Sequence, residues 1–212
     1  MAFFPLRSKT GGKDIGPRKN HPARLVNTPY GKGPDGSPGT SVKLKGRPDS
    51  YIEFPNRNGK LDPRRSMTFV GYVYPEEKPG PIFNYNTDGS GVEIWQKRPN
   101  ILFVRYVTKK KKTKPLVSVK LVRKVWNWIG TTYNHVTGEA KLYINSKPVS
   151  RRRIGARLRL ATTQPVRTGA ILGRKGNKRY FRGRVTCFQV YSKVLTVLQI
   201  RAARKLCLKT CE

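Results

Sequence analysis

The chain has 212 residues, 36% of them hydrophobic, and is long enough to bury a core as one β-sandwich or as two small domains. This composition argues against a disordered chain, and no run of roughly 20 apolar residues indicates a membrane-spanning helix. Lysine and arginine total 45 against 11 acidic residues, a net charge of +34, which predicts a polyanionic partner without choosing among nucleic acid, sulfated polysaccharide, acidic matrix protein, anionic lipid and mineral.

Residues 1–33 are predicted to be an extended basic lead-in that packs on the domain, with one edge strand over 23–26. The domain proper, residues 34–212, alternates short strands with turns rich in Gly, Pro, Asn and Asp. Its predicted strands cover 41–44, 50–54, 66–74, 81–85, 92–95, 101–107, 116–121, 126–133, 140–144, 157–161, 170–172 and 183–191.

The C-terminal segment alone predicts a helix, over 197–206, with Thr196 as its N-cap. In the preceding strand, strict alternation places Val185, Cys187, Gln189 and Tyr191 on one face. About a dozen short strands and one helix predict an all-β sandwich of two antiparallel sheets.

The three cysteines have no metal-site spacing, because both histidines lie far from them in sequence. A disulfide from Cys187 to Cys207 or Cys211 would close a loop of about 20 residues, stabilise the fold by roughly 3 kcal/mol, and leave one cysteine over. Three reduced thiols in a cytosolic protein fit the same count. The N-terminal apolar run is too short for a signal peptide, so no secretion signal is visible.

Several segments, in chain order, resemble the laminin G-like and pentraxin-like branch of the concanavalin A-like lectin/glucanase superfamily. Tyr51-Ile52-Glu53-Phe54-Pro55 is similar to the early edge strand of that family, and residues 66–75 are similar to its next strand. Residues 126–133, followed by 142–145, resemble the pair of core strands, although Ser146 replaces the usual glycine of the following turn. Residues 181–207 resemble the last strand and helix.

This resemblance implies a jelly-roll sandwich, a Cys187–Cys207 disulfide and a secreted, non-enzymatic module that binds carbohydrate, protein or heparin-like chains. A narrower likeness of residues 80–86 and the Asp35–Gly36 turn to shell and skeletal matrix modules implies acidic matrix proteins or a mineralised matrix. Many family members hold calcium at the sandwich rim, but rim acids are scarce here. The weak oxygen-ligand candidates are Asp35, Asn84, Asn86 and Asp88, which ordinary loops also contain.

No catalytic residue is predicted. A β-glucanase on this fold needs neighbouring carboxylates, and the acids here are scattered. His21 and His135 complete no Ser/His/Asp or Cys/His set. Aromatic residues could stack on bases or sugars, but their strand spacing favours core packing, with Trp95 as the expected exception. The aromatic residues considered are Trp95, Trp126, Trp128, Tyr133 and Tyr143.

Three basic groups are the predicted polyanion-binding residues. Arginine can bind sulfate or phosphate through a bidentate fork, whereas lysine acts as a mobile point charge. Alternation over 157–160 predicts a strand with both of its arginines on one face. The groups either converge on one sheet face or rim, or remain separate solvated loops that keep the protein soluble. They are Lys109, Lys110, Lys111, Lys112 and Lys114; Arg151, Arg152, Arg153, Arg157 and Arg159; and Arg174, Lys175, Lys178, Arg179, Arg182 and Arg184.

Two functional hypotheses therefore stand. The first is an extracellular matrix module that binds acidic polysaccharide or acidic matrix proteins, and the second is an intracellular nucleic-acid-binding protein. Both predict binding that weakens steeply with salt. A disulfide requires an oxidising compartment and would favour the first. No helix-turn-helix, zinc-finger or RNA-binding motif supports the second.

Overall fold

The computed structural model describes residues 1–85, 91–108, 113, 115–118, 121–171 and 179–209, and these form a jelly-roll sandwich of two antiparallel sheets. In chain order the strands are β1 (Ala2–Phe4), β2 (Arg24–Val26), β3 (Tyr30–Gly31), β4 (Ser41–Lys45), β5 (Tyr51–Phe54), β6 (Met67–Pro75), β7 (Gly80–Tyr85), β8 (Glu93–Arg98), β9 (Ile101–Arg105), β10 (Leu116–Ser118), β11 (Asn127–Tyr133), β12 (Glu139–Ile144), β13 (Lys147–Arg153), β14 (Val166–Thr168) and β15 (Arg182–Tyr191), followed by helix α1 (Val197–Lys209).

The eight-stranded sheet has the order β13-β12-β11-β6-β15-β4-β3, and β1 also pairs with β15. The seven-stranded sheet has the order β10-β9-β8-β7-β14-β5-β2. Between the sheets lies the main core, whose phenylalanine rings contact one another edge-on or tilted, as aromatic quadrupoles favour. The Phe69 and Phe83 rings, from opposite sheets, have centroids 4.5 Å apart. The predicted all-β sandwich is confirmed.

A second core lies on the outer face of the eight-stranded sheet, where α1 packs on Tyr72, Trp128 and Tyr143. The disulfide joins Cys187 of β15 to Cys207 of α1, the pairing that the resemblance implied. Thr196 and Gln199 form a reciprocal capping box at the start of α1, which agrees with the predicted N-cap.

Strand β15 contains a bulge that the predicted alternation missed. The register with β6 shifts between Thr186 and Gln189, and Cys187 has a φ of 59°. Val185 therefore faces the main core, whereas Cys187, Gln189 and Tyr191 face α1, so the predicted shared face is wrong for Val185 and correct for the other three. The bulge also lets two strands share one edge of β15, with β4 pairing before it and β1 after it.

The N-terminal segment 1–33 supplies three strands, one of them the predicted edge strand, and Phe4 and Leu6 are fully buried. Two further predictions are wrong. Residues 157–161 are not a strand, because Arg157 adopts a left-handed φ of 54°. Residues 170 and 171 of the predicted strand 170–172 are not in a strand either, because β14 ends at Thr168, before Gly169 with its φ of +93°, and residue 172 lies outside the described residues. The exposed strand β13 went unpredicted because its sequence has no apolar alternation.

Candidate polyanion-binding site

Strand β4 presents two lysines on the outer face of the eight-stranded sheet. Val42 and Leu44 fill the main core and are fully buried, so the alternation of a strand turns Lys43 and Lys45 outward. Lys43 is exposed and Lys45 is half-buried. The alternation of apolar and basic residues along β4 is therefore the local cause of the outward direction of both lysines.

The neighbouring strand β15 presents two arginines beside these lysines. Arg184 lies directly opposite Lys43, and Arg182 lies directly opposite Lys45. Residues opposite each other in an antiparallel pair have Cβ atoms about 5 Å apart, and residues two apart on one strand are separated by about 6.8 Å. The two strands therefore hold four cations in a small rectangle. Together with Arg47, which follows β4, we call these residues the basic patch.

Few carboxylates neutralise the basic patch. Arg182 Nε lies 2.9 Å from Glu76 Oε2, and Arg47 Nε lies 3.3 Å from Asp49 Oδ1 in an exposed pair. Within the described chain, no carboxylate lies within 4.0 Å of the remaining three cations, Lys43, Lys45 and Arg184. Like charges directly opposite across two strands are destabilising, so this arrangement favours an anion that binds between them.

The basic patch surrounds a shallow depression of about 420 Å³. That volume is in the range of small-ligand sites. Its lining is cationic apart from one proline: Pro29, Lys43, Lys45, Arg47 and Arg182. An anionic group that enters the depression meets four positive side chains.

Two aromatic rings border the basic patch at Arg184. The Arg184 guanidinium carbon lies 3.8 Å from the Tyr74 ring centroid and 5.5 Å from that of Trp126. Its Nη1 also donates a hydrogen bond to the Lys32 carbonyl oxygen at 2.9 Å. These contacts fix the guanidinium before any ligand arrives, which lowers the entropy lost on binding.

The predicted arginine triplet lies elsewhere on the same sheet. Arg151, Arg152 and Arg153 are exposed on β13, the edge strand, with β12, β11 and β6 between it and β15. At 4.7–4.9 Å per strand, β13 lies about 19 Å from β15 across the sheet, and the triplet is displaced along the strands as well, because Arg151 aligns with Thr68 of β6 and Arg184 with Tyr74. Glu139 forms ion pairs with Arg151 and Lys141. The hydrogen bond from Lys141 is the main cause that lowers the Glu139 pKa below its ordinary value.

The other predicted basic residues do not converge. Arg157 and Arg159 are exposed in the loop after β13. Arg179 lies with its guanidinium carbon 4.9 Å from the Trp95 ring centroid, on the outer face of the seven-stranded sheet. Among the predicted residues that the structure describes, only Arg182 and Arg184 join the basic patch. The predicted residues Lys109, Lys110, Lys111, Lys112, Lys114, Arg174, Lys175 and Lys178 lie outside the described residues.

Sequence reasoning missed the half of the basic patch that precedes residue 100. Lys43, Lys45 and Arg47 belong to the less basic half of the chain, whereas the predicted residues come from runs of charge in the other half. A usable signal was present, because basic residues alternate with buried ones both over 42–45 and over 182–185.

The predicted aromatic exception is wrong. Trp95 is only 5% exposed, and its Nε1 donates a 2.7 Å hydrogen bond to Asn84 Oδ1. Trp128, Tyr133 and Tyr143 are buried as expected. Trp126 is the half-buried member of the set, at the margin of the second core.

The calcium candidates do not form a site in the described part of the chain. Asp35 accepts hydrogen bonds from Ser37 N and Thr40 Oγ1 in the β3–β4 loop, whereas Asn84 lies on β7 of the other sheet. Asn86 and Asp88 fall outside the described residues. Across the described ranges, no three His, Cys, Asp or Glu side chains gather in a way that could hold a metal ion. No described helix is both long and apolar enough to cross a membrane.

The two-sheet jelly roll with its single capping helix defines a concanavalin A-like lectin-type domain. The family model Laminin_G_3, described as concanavalin A-like lectin/glucanases superfamily, matches residues 45–201, and the chain belongs to this family. No curated protein sequence matches the chain.

Solved structures with the same fold include toxin binding domains. They are the binding domain of Paraclostridial Mosquitocidal Protein 1 (TM-score 0.70, 16% identity, 89% of this chain and 48% of that chain), the botulinum neurotoxin serotype D ligand binding domain in complex with N-acetylneuraminic acid (0.74, 16%, 97% and 50%), and botulinum neurotoxin type C, whose cell entry depends upon interaction with two ganglioside molecules (0.73, 12%, 96% and 51%).

The chain spans about half the length of each of these structures, and at such low identity the likeness shows the fold alone. The neighbours are binding domains, two of them described with a carbohydrate or glycolipid ligand. The narrower resemblance to shell and skeletal matrix modules receives no support from these comparisons.

Proposed function

We propose that this chain is a non-enzymatic extracellular module that binds acidic polysaccharide of the heparin type through the basic patch. The observation that carries the proposal is the direct opposition of Lys43 to Arg184 and of Lys45 to Arg182. A bound sulfate or carboxylate between the strands would turn this repulsion into charge-assisted hydrogen bonds.

The compartment is part of the proposal. The Cys187–Cys207 disulfide fits an oxidising environment outside the cytosol, where acidic polysaccharides occur. Membership of a lectin-type family and the binding-domain neighbours support carbohydrate as the ligand class. The scattered acidic residues support a binding role without catalysis.

The test compares two variants that remove equal charge from the same sheet. Lys43→Gln/Lys45→Gln removes two cations from the basic patch, and Arg151→Gln/Arg153→Gln removes two from the β13 edge. We expect the patch variant to bind a heparin-like oligosaccharide about tenfold more weakly at 0.15 M salt, a loss of about 1.4 kcal/mol. The salt dependence of its binding should also become less steep, because fewer counterions are released.

The edge variant should bind like the wild type, since Glu139 already neutralises part of that edge. Equal losses in the two variants would contradict the proposal, because binding would then depend on net charge alone. Tighter binding of an oligodeoxynucleotide than of the oligosaccharide, at matched charge and salt, would favour the nucleic-acid hypothesis.

A further inference from the structure

A loop of mixed apolar and cationic character adjoins the basic patch. Residues 121–126 connect to β11, and Lys124 N donates a 2.9 Å hydrogen bond to the carbonyl oxygen of Pro75 at the end of β6. Asn127 pairs with Val73, so Trp126 comes next to Tyr74, with ring centroids 5.5 Å apart. The loop therefore lies beside the aromatic pair that holds Arg184.

One buried amide holds this loop in shape. The Asn127 side chain is 1% exposed, and its Nδ2 donates to the carbonyl oxygens of Val122 and Val125 at 2.7 and 2.9 Å. Its Oδ1 accepts a hydrogen bond from Val122 N at 3.1 Å. Three hydrogen bonds from a single side chain make the loop a preorganised element.

The fixed loop leaves apolar side chains in solvent. Val122 is 55% exposed and Val125 is 46% exposed, and the Trp126 ring is only half-buried. Arg123 and Lys124, between the valines, are exposed as well. A held loop that exposes apolar groups beside cations is a feature of binding surfaces, since folding alone gives no reason to fix them there.

Trp126, which immediately precedes β11, forms a row with Tyr74 of β6, Arg184 of β15 and Lys43 of β4. At 4.7–4.9 Å per strand the row is about 14 Å long. Its β11 end is aromatic and apolar, and its β4 end is cationic. A ligand that fills the row needs anionic groups and an apolar face within the same chain.

We infer that this row binds an acidic polysaccharide lengthwise, with the apolar C–H face of one sugar ring on Trp126 and the acidic groups of the next sugars on Arg184 and Lys43. The inference rests on the proposed function and extends it from charge to recognition of the sugar ring. An inorganic polyphosphate would meet the cations but leave the apolar loop unused.

The experiment measures the binding of three ligands by one set of variants. The ligands are a heparin-like oligosaccharide, inorganic polyphosphate and oligodeoxythymidylate, and the variants are Trp126→Ala and Val125→Ser. Aromatic stacking contributes enough that we expect Trp126→Ala to weaken oligosaccharide binding about tenfold. Val125→Ser should weaken it about threefold. Polyphosphate binding should change much less in both variants, because Tyr74 and the Lys32 carbonyl oxygen still hold Arg184.

Val136→Ser is the matched control. Val136 is 78% exposed in the β11–β12 turn, at the opposite end of β11, about 20 Å away along the strand. This variant should bind all three ligands like the wild type. Circular dichroism and thermal unfolding show whether Trp126→Ala keeps its fold, and Val125→Ser tests the loop without touching the ring contacts.

Each outcome has a distinct meaning. If Trp126→Ala and Val125→Ser bind the oligosaccharide normally while Lys43→Gln/Lys45→Gln does not, then the sugar does not bind along the row. The proposed function, binding through the basic patch, then stands. If Trp126→Ala weakens oligosaccharide and polyphosphate equally, Trp126 only positions Arg184, and the ring contact is wrong. If the two variants lose affinity for oligodeoxythymidylate alone, the row binds nucleic acid whose bases stack on Trp126, and the polysaccharide inference is wrong. Failure of the wild type to bind the oligosaccharide would overturn the proposed function itself.

Discussion

The outer face of the eight-stranded sheet is covered at one end and open at the other. At the covered end, α1 packs on Trp128 and Tyr143 and is joined to β15 by the disulfide. At the open end, the cations of β4 and of the first half of β15 face solvent. Strand β15 serves both ends, and its bulge at Cys187 marks the boundary.

Side-chain chemistry explains the difference between the two ends. Burying apolar rings beneath a helix stabilises the folded protein, whereas burying unpaired cations would destabilise it. Beside the covered end, one carboxylate, Glu139, binds two of the cations, Lys141 and Arg151. At the open end, Glu76 and Asp49 pair with Arg182 and Arg47, whereas no carboxylate of the described chain lies within 4.0 Å of Lys43, Lys45 or Arg184, which remain available to a ligand. Separate perturbations of the two ends can test this division.

The largest effect should come from removing the disulfide at the covered end. Cys187→Ala/Cys207→Ala opens a covalent loop with a sequence separation of 20, and we expect the free energy of unfolding to fall by about 3 kcal/mol. Chemical denaturation measures this loss. Oligosaccharide binding by the folded fraction should remain that of the wild type, since α1 packs on the second core, on the far side of the β15 bulge from the basic patch. A large loss of affinity in protein shown to be folded would mean that the two ends are coupled.

A smaller effect of opposite sign is expected at the open end. Without ligand, Lys43→Gln/Lys45→Gln should raise the free energy of unfolding by about 0.5 kcal/mol, because it removes two repulsive cross-strand pairs. With saturating oligosaccharide the wild type should become the more stable protein, since it binds the ligand more tightly. Thermal unfolding with and without ligand measures both differences. A ligand-free variant less stable than the wild type would show that the lysines do not repel their neighbours.

The smallest effect concerns the ion pairs of Glu139. Its pKa is lowered in the folded protein, so its ionised form contributes stability above the ordinary pKa of 4.5, and this contribution is lost as pH falls through the lower folded pKa. Glu139→Gln should therefore be slightly less stable than the wild type at pH 7, with the difference vanishing in acid. Urea unfolding at several pH values measures it. A difference independent of pH would exclude an electrostatic cause.

Local patterns predicted most strands and the helix of this protein. Strands such as β6 and β11 have strong apolar content between turn residues, and Thr196 marks the start of α1. The bulge at Cys187 left no such local mark, because it arises where two different strands, β4 and β1, meet one edge of β15. The exposed strand β13 is defined by its pairing with β12 rather than by its own composition.

For the candidate site too, some features could be predicted from the sequence and others depend on strand pairing. Composition established the large positive charge, and a family resemblance suggested which cysteines pair. Charge runs predicted Arg151, Arg152 and Arg153 as site residues, but the sheet order separates them from the basic patch.

The sequence by itself determined an all-β sandwich with a C-terminal helix and an excess of cations that requires anions nearby. Only the tertiary structure decided which cations share a surface. The physical reason is strand register: backbone hydrogen bonds between β4 and β15 place Lys43 opposite Arg184, although the two residues lie near opposite ends of the chain. Alternation within one strand indicates the face of a side chain, but its neighbours across the sheet depend on how distant strands pair.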